Sequence, residues 1–129
     1  MHRHYGLSNG LFVSPKNGQT FVVGGMNDDS QRWTRVLSQR AGYLLWLRLA
    51  QQFAPEQARH VAGLDTMEAR DSELPTITHH VTVDYLDNGQ YELTGWVGDT
   101  TWSARMTSAE AGRLLHVMDE LLYTGGGAG

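Results

Sequence analysis

The stretch NGQTFVVGGMNDDSQRWTRVLS (residues 17–38) returns in altered form as NGQYELTGWVGDTTWSARMT (residues 88–107). Both stretches begin with Asn-Gly-Gln, pass through a run rich in β-branched and aromatic residues, and end in Trp-x-x-x-(Leu/Met)-(Ser/Thr). Asn-Gly is a strong signal for a tight hairpin turn, and a closing Ser or Thr suits the N-cap of a helix. Each stretch therefore predicts a hairpin, a further strand and the start of a helix.

Working outward from these stretches, each half of the chain is predicted to form three strands and a helix. In the first half the strands are expected in GLFVS (10–14), TFVVGGM (20–26) and RWTRVL (32–37), with Ser38 as the N-cap of the helix that follows. In the second half they are expected in TITHHVTVDYL (76–86), YELTGWVG (91–98) and TTWSARM (100–106). There Thr107 and Glu110 have the spacing of a capping box, in which each side chain bonds the backbone N–H of the other residue.

The order strand–strand–strand–helix, found twice, predicts an α+β domain with antiparallel sheets and helices packed on one face. The length, 129 residues, is that of a single domain. We expect unit one at residues 8–55, a connecting helix and loop at 56–75, unit two at 76–123 and a disordered tail at 124–129. The likeness of the units indicates internal duplication. The alternative is that any two such units share turn glycines and capping hydroxyls.

The composition, 40% hydrophobic and 19% charged, is typical of a globular soluble domain. The chain has no cysteine, which excludes disulfide bonds, zinc–thiolate sites and thiol catalysis. The longest strongly apolar stretch, AGYLLWLRLA (residues 41–50), is too short to span a bilayer, and the beginning of the chain has no apolar run of signal-peptide length. We therefore expect a cytoplasmic protein without a membrane partner.

The net charge of −4 is unevenly distributed along the chain. Residues 8–55 contain five basic and two acidic side chains, whereas residues 81–123 contain two basic and seven acidic ones. The plain interpretation is that both halves have ordinary solvated surfaces. The functional interpretation is a weakly basic face and an acidic face that attract each other in a dimer.

The first unit carries more apolar surface than one small domain needs. Phe21 and Val23 are predicted to face one side of their strand, while Val22 and Met26 face the other, so both sides are apolar. The following helix is apolar over a broad arc that includes Tyr43, Trp46, Leu47 and Phe53. Either this helix lies centrally between the sheet and the last helix, or the first unit forms a homodimer through its helix or its sheet.

These side chains, together with Trp96, are the predicted protein-binding residues. Alternation places Trp96 on the outer face of its strand between Gly95 and Gly98, where an exposed aromatic ring can anchor a partner. The alternative for Trp96 is a surface ring packed on a neighbouring turn. The complete set is Tyr43, Trp46, Leu47, Phe53 and Trp96.

No arrangement of residues indicates catalysis, a cofactor or a metal. His79 and His80 are adjacent on a strand, so their side chains point to opposite faces. His2 and His4 lie near what we expect to be a loose terminus, and His116 and Glu120 have the spacing of an ordinary surface pair on a helix. The chain also lacks the Gly-x-Ser-x-Gly nucleophile motif and the phosphate-binding loop motif. We therefore predict no catalytic residues, no metal ligands and no cofactor.

The order of elements, with Trp-x-x-x-Leu-Ser leading into a helix, resembles whirly-type domains and small cyanobacterial domains of unknown function that share their fold. The residues that carry the resemblance are Gly24-Gly25, Trp33 and Leu37-Ser38, with Trp102 and Met106-Thr107 as a second copy. The resemblance implies an oligomer that holds single-stranded DNA along sheet edges. The lysine-rich binding motif of that family is not present here, and Lys16 is the single lysine.

Two functions follow as expectations. The first is a non-catalytic accessory or assembly factor that forms a homodimer and binds an unidentified protein partner. The alternative is a single-stranded nucleic-acid-binding regulator that uses Lys16, Arg32, Trp33 and Arg35, because such proteins combine positive charge with stacking aromatic rings. The acidic net charge disfavours this alternative. An enzyme of unrecognised type comes third.

Overall fold

Each half of the chain contributes three consecutive strands to a six-stranded sheet in the computed structural model, which describes residues 2–16, 20–59 and 76–121. The strands are β1 (His2–Pro15), β2 (Thr20–Asn27), β3 (Arg32–Ser38), β4 (His80–Tyr85), β5 (Gln90–Val97) and β6 (Thr100–Thr107). The helices are α1 (Gln39–Phe53), α2 (Pro55–Arg59) and α3 (Ser108–Asp119). The α+β prediction is confirmed. The turn predicted at residues 17–18, residues 60–75 of the predicted connecting segment and the tail predicted at 124–129 lie outside the described residues.

The sheet is mixed, which corrects the expectation of antiparallel sheets. Its strand order is β3-β2-β1-β6-β5-β4, and its centre is a parallel pair. Residues 2–7 of β1 pair in parallel with β6, whereas residues 8–15 pair antiparallel with β2. Gly6 and Gly10 have positive φ angles of 84° and 60°, which redirect the strand where other residues would be strained. The first residues, expected to be loose, are therefore part of the sheet.

The two outer strands of the sheet meet at one end. Thr78, just before β4, accepts the Ser38 N–H at 2.9 Å and donates its own N–H to the Val36 carbonyl at 2.8 Å. Because β3 and β4 stand at opposite edges, the sheet must be strongly curved to bring these residues together. Helix α1 follows β3 and packs across onto β4, and it contacts α3 over a shared core. We call the side of the sheet that faces these helices the inner face.

The N-caps of the two long helices are as the sequence predicts. Ser38 Oγ accepts the backbone N–H of Ala41 at 3.0 Å, and Thr107 Oγ1 accepts that of Glu110 at 3.2 Å. Each hydroxyl satisfies an N–H group that has no partner within its helix. The third strand of each half therefore ends in a residue that starts the next helix.

Glu110 does not reach back to Thr107, which corrects the second half of the predicted capping box. Its carboxylate accepts the N–H of Leu11 at 3.1 Å, and Arg113 donates to the Leu11 carbonyl at 2.7 Å. Leu11 lies where the register between β1 and β2 shifts, so α3 satisfies its backbone groups from outside the sheet. The hydrogen bond from Arg113 lowers the pKa of Glu110, and the bond from the Leu11 N–H acts in the same direction.

Two tryptophans occupy matching places on the inner face. Trp33 lies on β3 and Trp102 on β6, both are buried, and their ring centroids are 5.6 Å apart. Trp33 donates its indole N–H to Ser8 Oγ at 3.0 Å, and Trp102 donates to Thr78 Oγ1 at 2.9 Å. Each large ring is thus buried with its polar N–H satisfied by a hydroxyl from the same half of the chain.

Candidate protein-binding surface

The outer face of β1–β3, on the side away from the helices, carries side chains of a type that is usually buried. Alternation along the strands turns Val23 and Leu37 into the core and turns their neighbours outward. Val22 lies directly opposite Val36 across the β2–β3 pair. Phe12 is 40% exposed, and the other three side chains of this patch are half-buried. The patch, which we call the unit-one outer face, is defined by Phe12, Val22, Met26 and Val36.

Phe12 is the most exposed member of the unit-one outer face, and its ring lies against Gly24. A Cβ atom added at Gly24 would stand 2.8 Å from the Phe12 ring, so only glycine allows this close approach. Beside the ring is a depression of about 430 Å³, whose lining includes Met26, Arg32 and Thr34. An exposed aromatic ring beside a depression suits a partner that covers the ring and places a side chain in the depression.

The outer face of β4–β6 is polar at the matching positions. Glu92 lies opposite Arg105 where Val22 lies opposite Val36, and Thr94 lies opposite Ser103. Thr82 and Asp84 extend the same polar surface onto β4. We call this surface the unit-two outer face, defined by Thr82, Asp84, Glu92, Thr94 and Arg105. It is the surface expected of a sheet that meets water.

Trp96 lies at one end of the unit-two outer face, on the same side of β5 as Glu92 and Thr94. It lies between His80 and Thr101 in the sheet and is half-buried. Its ring meets the His80 ring edge-on, with 5.3 Å between centroids. Burial lowers the pKa of His80, and the positive charges of Arg40 and Arg48 lower it further. Trp96 is thus a half-buried surface ring packed on the His80 imidazole.

The predicted binding residues of α1 are divided between core and surface. Trp46 and Leu47 are only 2% and 3% exposed, and Trp46 donates its indole N–H to Asp119 Oδ1 of α3 at 2.6 Å. These two residues belong to the core and have no exposed surface for a partner. Tyr43 is half-buried, with its ring edge-on to Phe21 at 6.3 Å. The breadth of the apolar arc on α1 is therefore largely explained by its central position between the sheet and α3.

Phe53, at the end of α1, is the member of that set with the most surface, at 37% exposed. Its ring lies 5.1 Å from Tyr91, which in turn lies 5.2 Å from Tyr85. Tyr85 is 57% exposed and was not predicted as a surface residue. Alternation groups it with the buried residues of β4, but it is the last residue of that strand and extends past the core. No sequence signal in a single chain marks where the core ends along a strand.

The predicted nucleic-acid residues do not form one surface. Trp33 is 5% exposed and has no free ring face for a base. Arg35 donates its Nε–H to the Tyr5 hydroxyl at 2.8 Å, and the Tyr5 ring is stacked on Trp33 at 4.7 Å. Arg32 and Lys16 are exposed, but they lie beside opposite ends of β2, about 20 Å apart. Tyr5, which the sequence interpretation missed, closes over the residue expected to stack on bases.

The two ends of the unit-one outer face carry opposite charge. Asp28 and Asp29 are exposed in the turn between β2 and β3, at one end of the patch, and exposed Arg32 follows them at the start of β3, so two negative charges and one positive charge leave this end net negative. Lys16 is exposed at the other end, beside the start of β2. The patch therefore has an acidic end, an apolar centre and a basic end.

The described residues contain no group of three or more His, Asp or Glu side chains that would hold a metal ion. None of the helices in the described ranges is long and apolar enough to cross a bilayer. Comparisons of the chain with known protein families, curated proteins and solved structures found no match. The function is therefore inferred from the surface itself.

Proposed function

We propose that the chain is a non-catalytic accessory or assembly factor of the cytoplasm that forms a homodimer through the unit-one outer face. One observation carries the proposal: Val22 faces Val36 where the other half of the sheet has Glu92 facing Arg105. Covering apolar side chains removes their area from water and so favours association. In this proposal the dimer is the form that binds a further protein.

The charges at the two ends of the patch favour a second copy of this chain as the occupant and select one geometry. A two-fold axis that lies in the interface, perpendicular to β2, reverses the strand direction between the copies. Lys16 of each copy then faces Asp28 and Asp29 of the other. An axis parallel to β2 would instead place acidic end against acidic end. Opposite charges across an interface fix such an orientation, so we propose two outer faces packed with β2 antiparallel to its mate.

The expected affinity is modest. Full burial of a Val, Met or Phe side chain contributes about 1.5–3 kcal/mol, and these side chains are already partly covered in the single chain. Part of the gain is offset by the loss of rotational and translational freedom on association. We therefore expect a dimer that dissociates on dilution below concentrations on the order of tens of micromolar.

The charge arrangement provides the test, by sedimentation velocity over a range of concentrations. Lys16→Glu alone and the pair Asp28→Lys with Asp29→Lys are each expected to weaken the dimer, because each variant brings like charges together. An equal mixture of the two variants is expected to restore association, since both contacts are again attractive in the mixed dimer. Exposed charge pairs contribute about 0.2–1 kcal/mol each, so the shifts in dissociation constant are expected to be a few-fold to about tenfold.

The matched control is Asp99→Lys, in the exposed turn between β5 and β6, which lies outside the proposed interface. It is expected to leave the dissociation constant unchanged. A wild-type chain that stays monomeric at every concentration would remove the dimer. An Asp99→Lys effect as large as that of Lys16→Glu would show that net charge, rather than this geometry, governs association.

A binding experiment with the wild-type protein tests the second function, that of a whirly-like regulator that binds single-stranded nucleic acid. Titration into a fluorescently labelled oligonucleotide at low salt is expected to leave its anisotropy unchanged. Binding that falls steeply with added salt and weakens in Arg32→Glu would support the nucleic-acid function instead of protein binding.

We propose further that the two halves are copies of one strand–strand–strand–helix unit. The two buried tryptophans support this, because each donates to a hydroxyl of its own half, Trp33 to Ser8 within β1 and Trp102 to Thr78 just before β4. The N-caps Ser38 and Thr107 give the same support. On this view the inner face kept its original residues, and the outer faces diverged.

A further inference from the structure

The first residues of β1 place two imidazole rings beside two hydroxyl groups of β6. In the parallel pair, His2 lies next to Thr101 and His4 next to Ser103. Residues two apart on a strand point to the same side, so all four side chains gather on one face of the junction between the halves. Hydrogen-bond contacts connect all four of them.

Three of the donor atoms form a small triangle. His2 Nε2 is 3.2 Å from His4 Nδ1 and 3.0 Å from Ser103 Oγ, and Ser103 Oγ is 2.9 Å from His4 Nδ1. Zinc binds imidazole nitrogen at about 2.0–2.1 Å, so two ligands at right angles stand about 2.9 Å apart and two at the tetrahedral angle about 3.3 Å apart. The triangle has the edge lengths of one face of a metal coordination sphere.

The fourth side chain can hold His2 in the tautomer that a metal requires. Thr101 Oγ1 is in contact with His2 Nδ1 and can accept its N–H. With the proton on Nδ1, the Nε2 atom of His2 is unprotonated and can coordinate an ion at the triangle. Histidines that bind metals usually donate their other ring N–H to such a partner, which fixes the ring and its tautomer.

We propose that His2, His4 and Ser103 form a binding site for a divalent transition-metal ion of the zinc or nickel type. Two imidazoles select these ions over magnesium and calcium, which prefer carboxylate and carbonyl oxygens. Both histidines are exposed, so an ion reaches them from solvent, and water completes its coordination. Ser103 is 2% exposed and rigidly placed in β6. A bound ion links β1 to β6 and thereby fastens the parallel junction between the two halves.

Isothermal titration of the tag-free protein with zinc chloride tests the site. One ion per chain is expected, with affinity that falls in acid because protons compete for the imidazole nitrogens. His4→Ala is expected to abolish binding, and Thr101→Val to weaken it about tenfold, as loss of a partner that orients a ligand does. Magnesium chloride is expected to give no binding.

His116→Ala is the matched control, because His116 lies on α3, outside the proposed site, with its Nε2 atom 3.2 Å from Glu120 Oε1. It is expected to bind zinc as the wild type does. Zinc should also raise the melting temperature of the wild type and of His116→Ala, but not that of His4→Ala. Undiminished binding in His4→Ala, or binding lost in His116→Ala, would overturn the proposal.

A second readout does not depend on how well the variants fold. Nitrogen chemical shifts of the histidine rings in the wild-type protein are expected to show zinc on Nε2 of His2 and on Nδ1 of His4. Zinc-induced shifts confined to other histidines would place the ion elsewhere and contradict the site.

Discussion

The two halves of the sheet agree on their inner faces and differ on their outer faces. On the inner face each half sets a buried tryptophan opposite a glycine, Trp33 on Gly25 and Trp102 on Gly95. On the outer face one half has the pair Val22–Val36 and the other has Glu92–Arg105. The inner face must fill one shared core, so its residues are constrained by packing. The outer face is free of that constraint, and its difference is therefore informative about function.

The largest effect is expected from the tryptophans that the inner faces share. Trp102→Ala and Trp33→Ala are each expected to lower the free energy of unfolding by about 3–5 kcal/mol, because each leaves a large cavity and a hydroxyl without its donor. The free energy of unfolding is measured by urea titration followed by circular dichroism. Trp96→Ala, which removes a half-buried ring, is the control and should lower the free energy of unfolding clearly less. If the free energy of unfolding falls no further in Trp33→Ala than in Trp96→Ala, the two buried tryptophans do not contribute equally to stability.

A smaller effect is expected at Gly95, which lies under the Trp102 indole. A Cβ added at Gly95 would stand 2.3 Å from the Trp102 ring, so Gly95→Ala should force the ring to move and lower the free energy of unfolding by about 1–3 kcal/mol. Gly112→Ala is the control, since it lies inside α3 with open space around it and should stabilise by about 0.5–1 kcal/mol. Equal melting temperatures for the two variants would contradict the tight packing described for the inner face.

The next effect concerns the contact between α3 and β1, in which Glu110 and Arg113 bond to both backbone groups of Leu11. Glu110→Gln should lower the free energy of unfolding by about 1 kcal/mol at neutral pH, because the charged bond to Arg113 is lost. The pKa of Glu110 is lowered in the folded chain. Its stabilisation is therefore complete above the ordinary glutamate pKa and is lost as the pH falls through the folded-state pKa.

The measurement is the free energy of unfolding as a function of pH on the acid side of neutrality. The wild type should lose stability more steeply than Glu110→Gln, so the two curves should converge in acid. Glu120→Gln, at a side chain 67% exposed, is the control and should follow the wild type. Parallel curves for wild type and Glu110→Gln would mean that the carboxylate does not support the Leu11 backbone.

Most local features could be predicted from the sequence because their causes are local. The alternation in β2, β3, β5 and β6 and the hydroxyls at Ser38 and Thr107 fix strands, faces and helix starts within a few residues. Both faces of β2 were expected to be apolar, and the exposure of the unit-one outer face agrees with that expectation. The sequence also predicts that the apolar arc of α1 is wider than one domain can bury. It does not show that α3 and β4 cover this arc from two sides.

What could not be predicted depends on distant partners. The strand at residues 2–7 has no hairpin signal, since its neighbour is a parallel strand about a hundred residues away and Gly6 interrupts its alternation. For that reason the sequence does not show that His2 and His4 lie at the junction of two strands. Glu110 has the spacing of a capping box, but it bonds to Leu11, whose unpaired backbone exists only because β1 changes partner. Tyr5 covers Trp33 because β1 runs along both halves of the sheet, and no local sequence pattern connects these two residues.

The most direct test of the central claim is to give the unit-one outer face the residues of the unit-two outer face. Sedimentation velocity should be compared for the wild type and for the double variant Val22→Glu with Val36→Arg, with circular dichroism as the check on folding. We predict that the wild type is a dimer on the order of tens of micromolar and that the folded double variant is a monomer at the same concentration. A double variant that still dimerises, or a wild type that never does, would contradict the account.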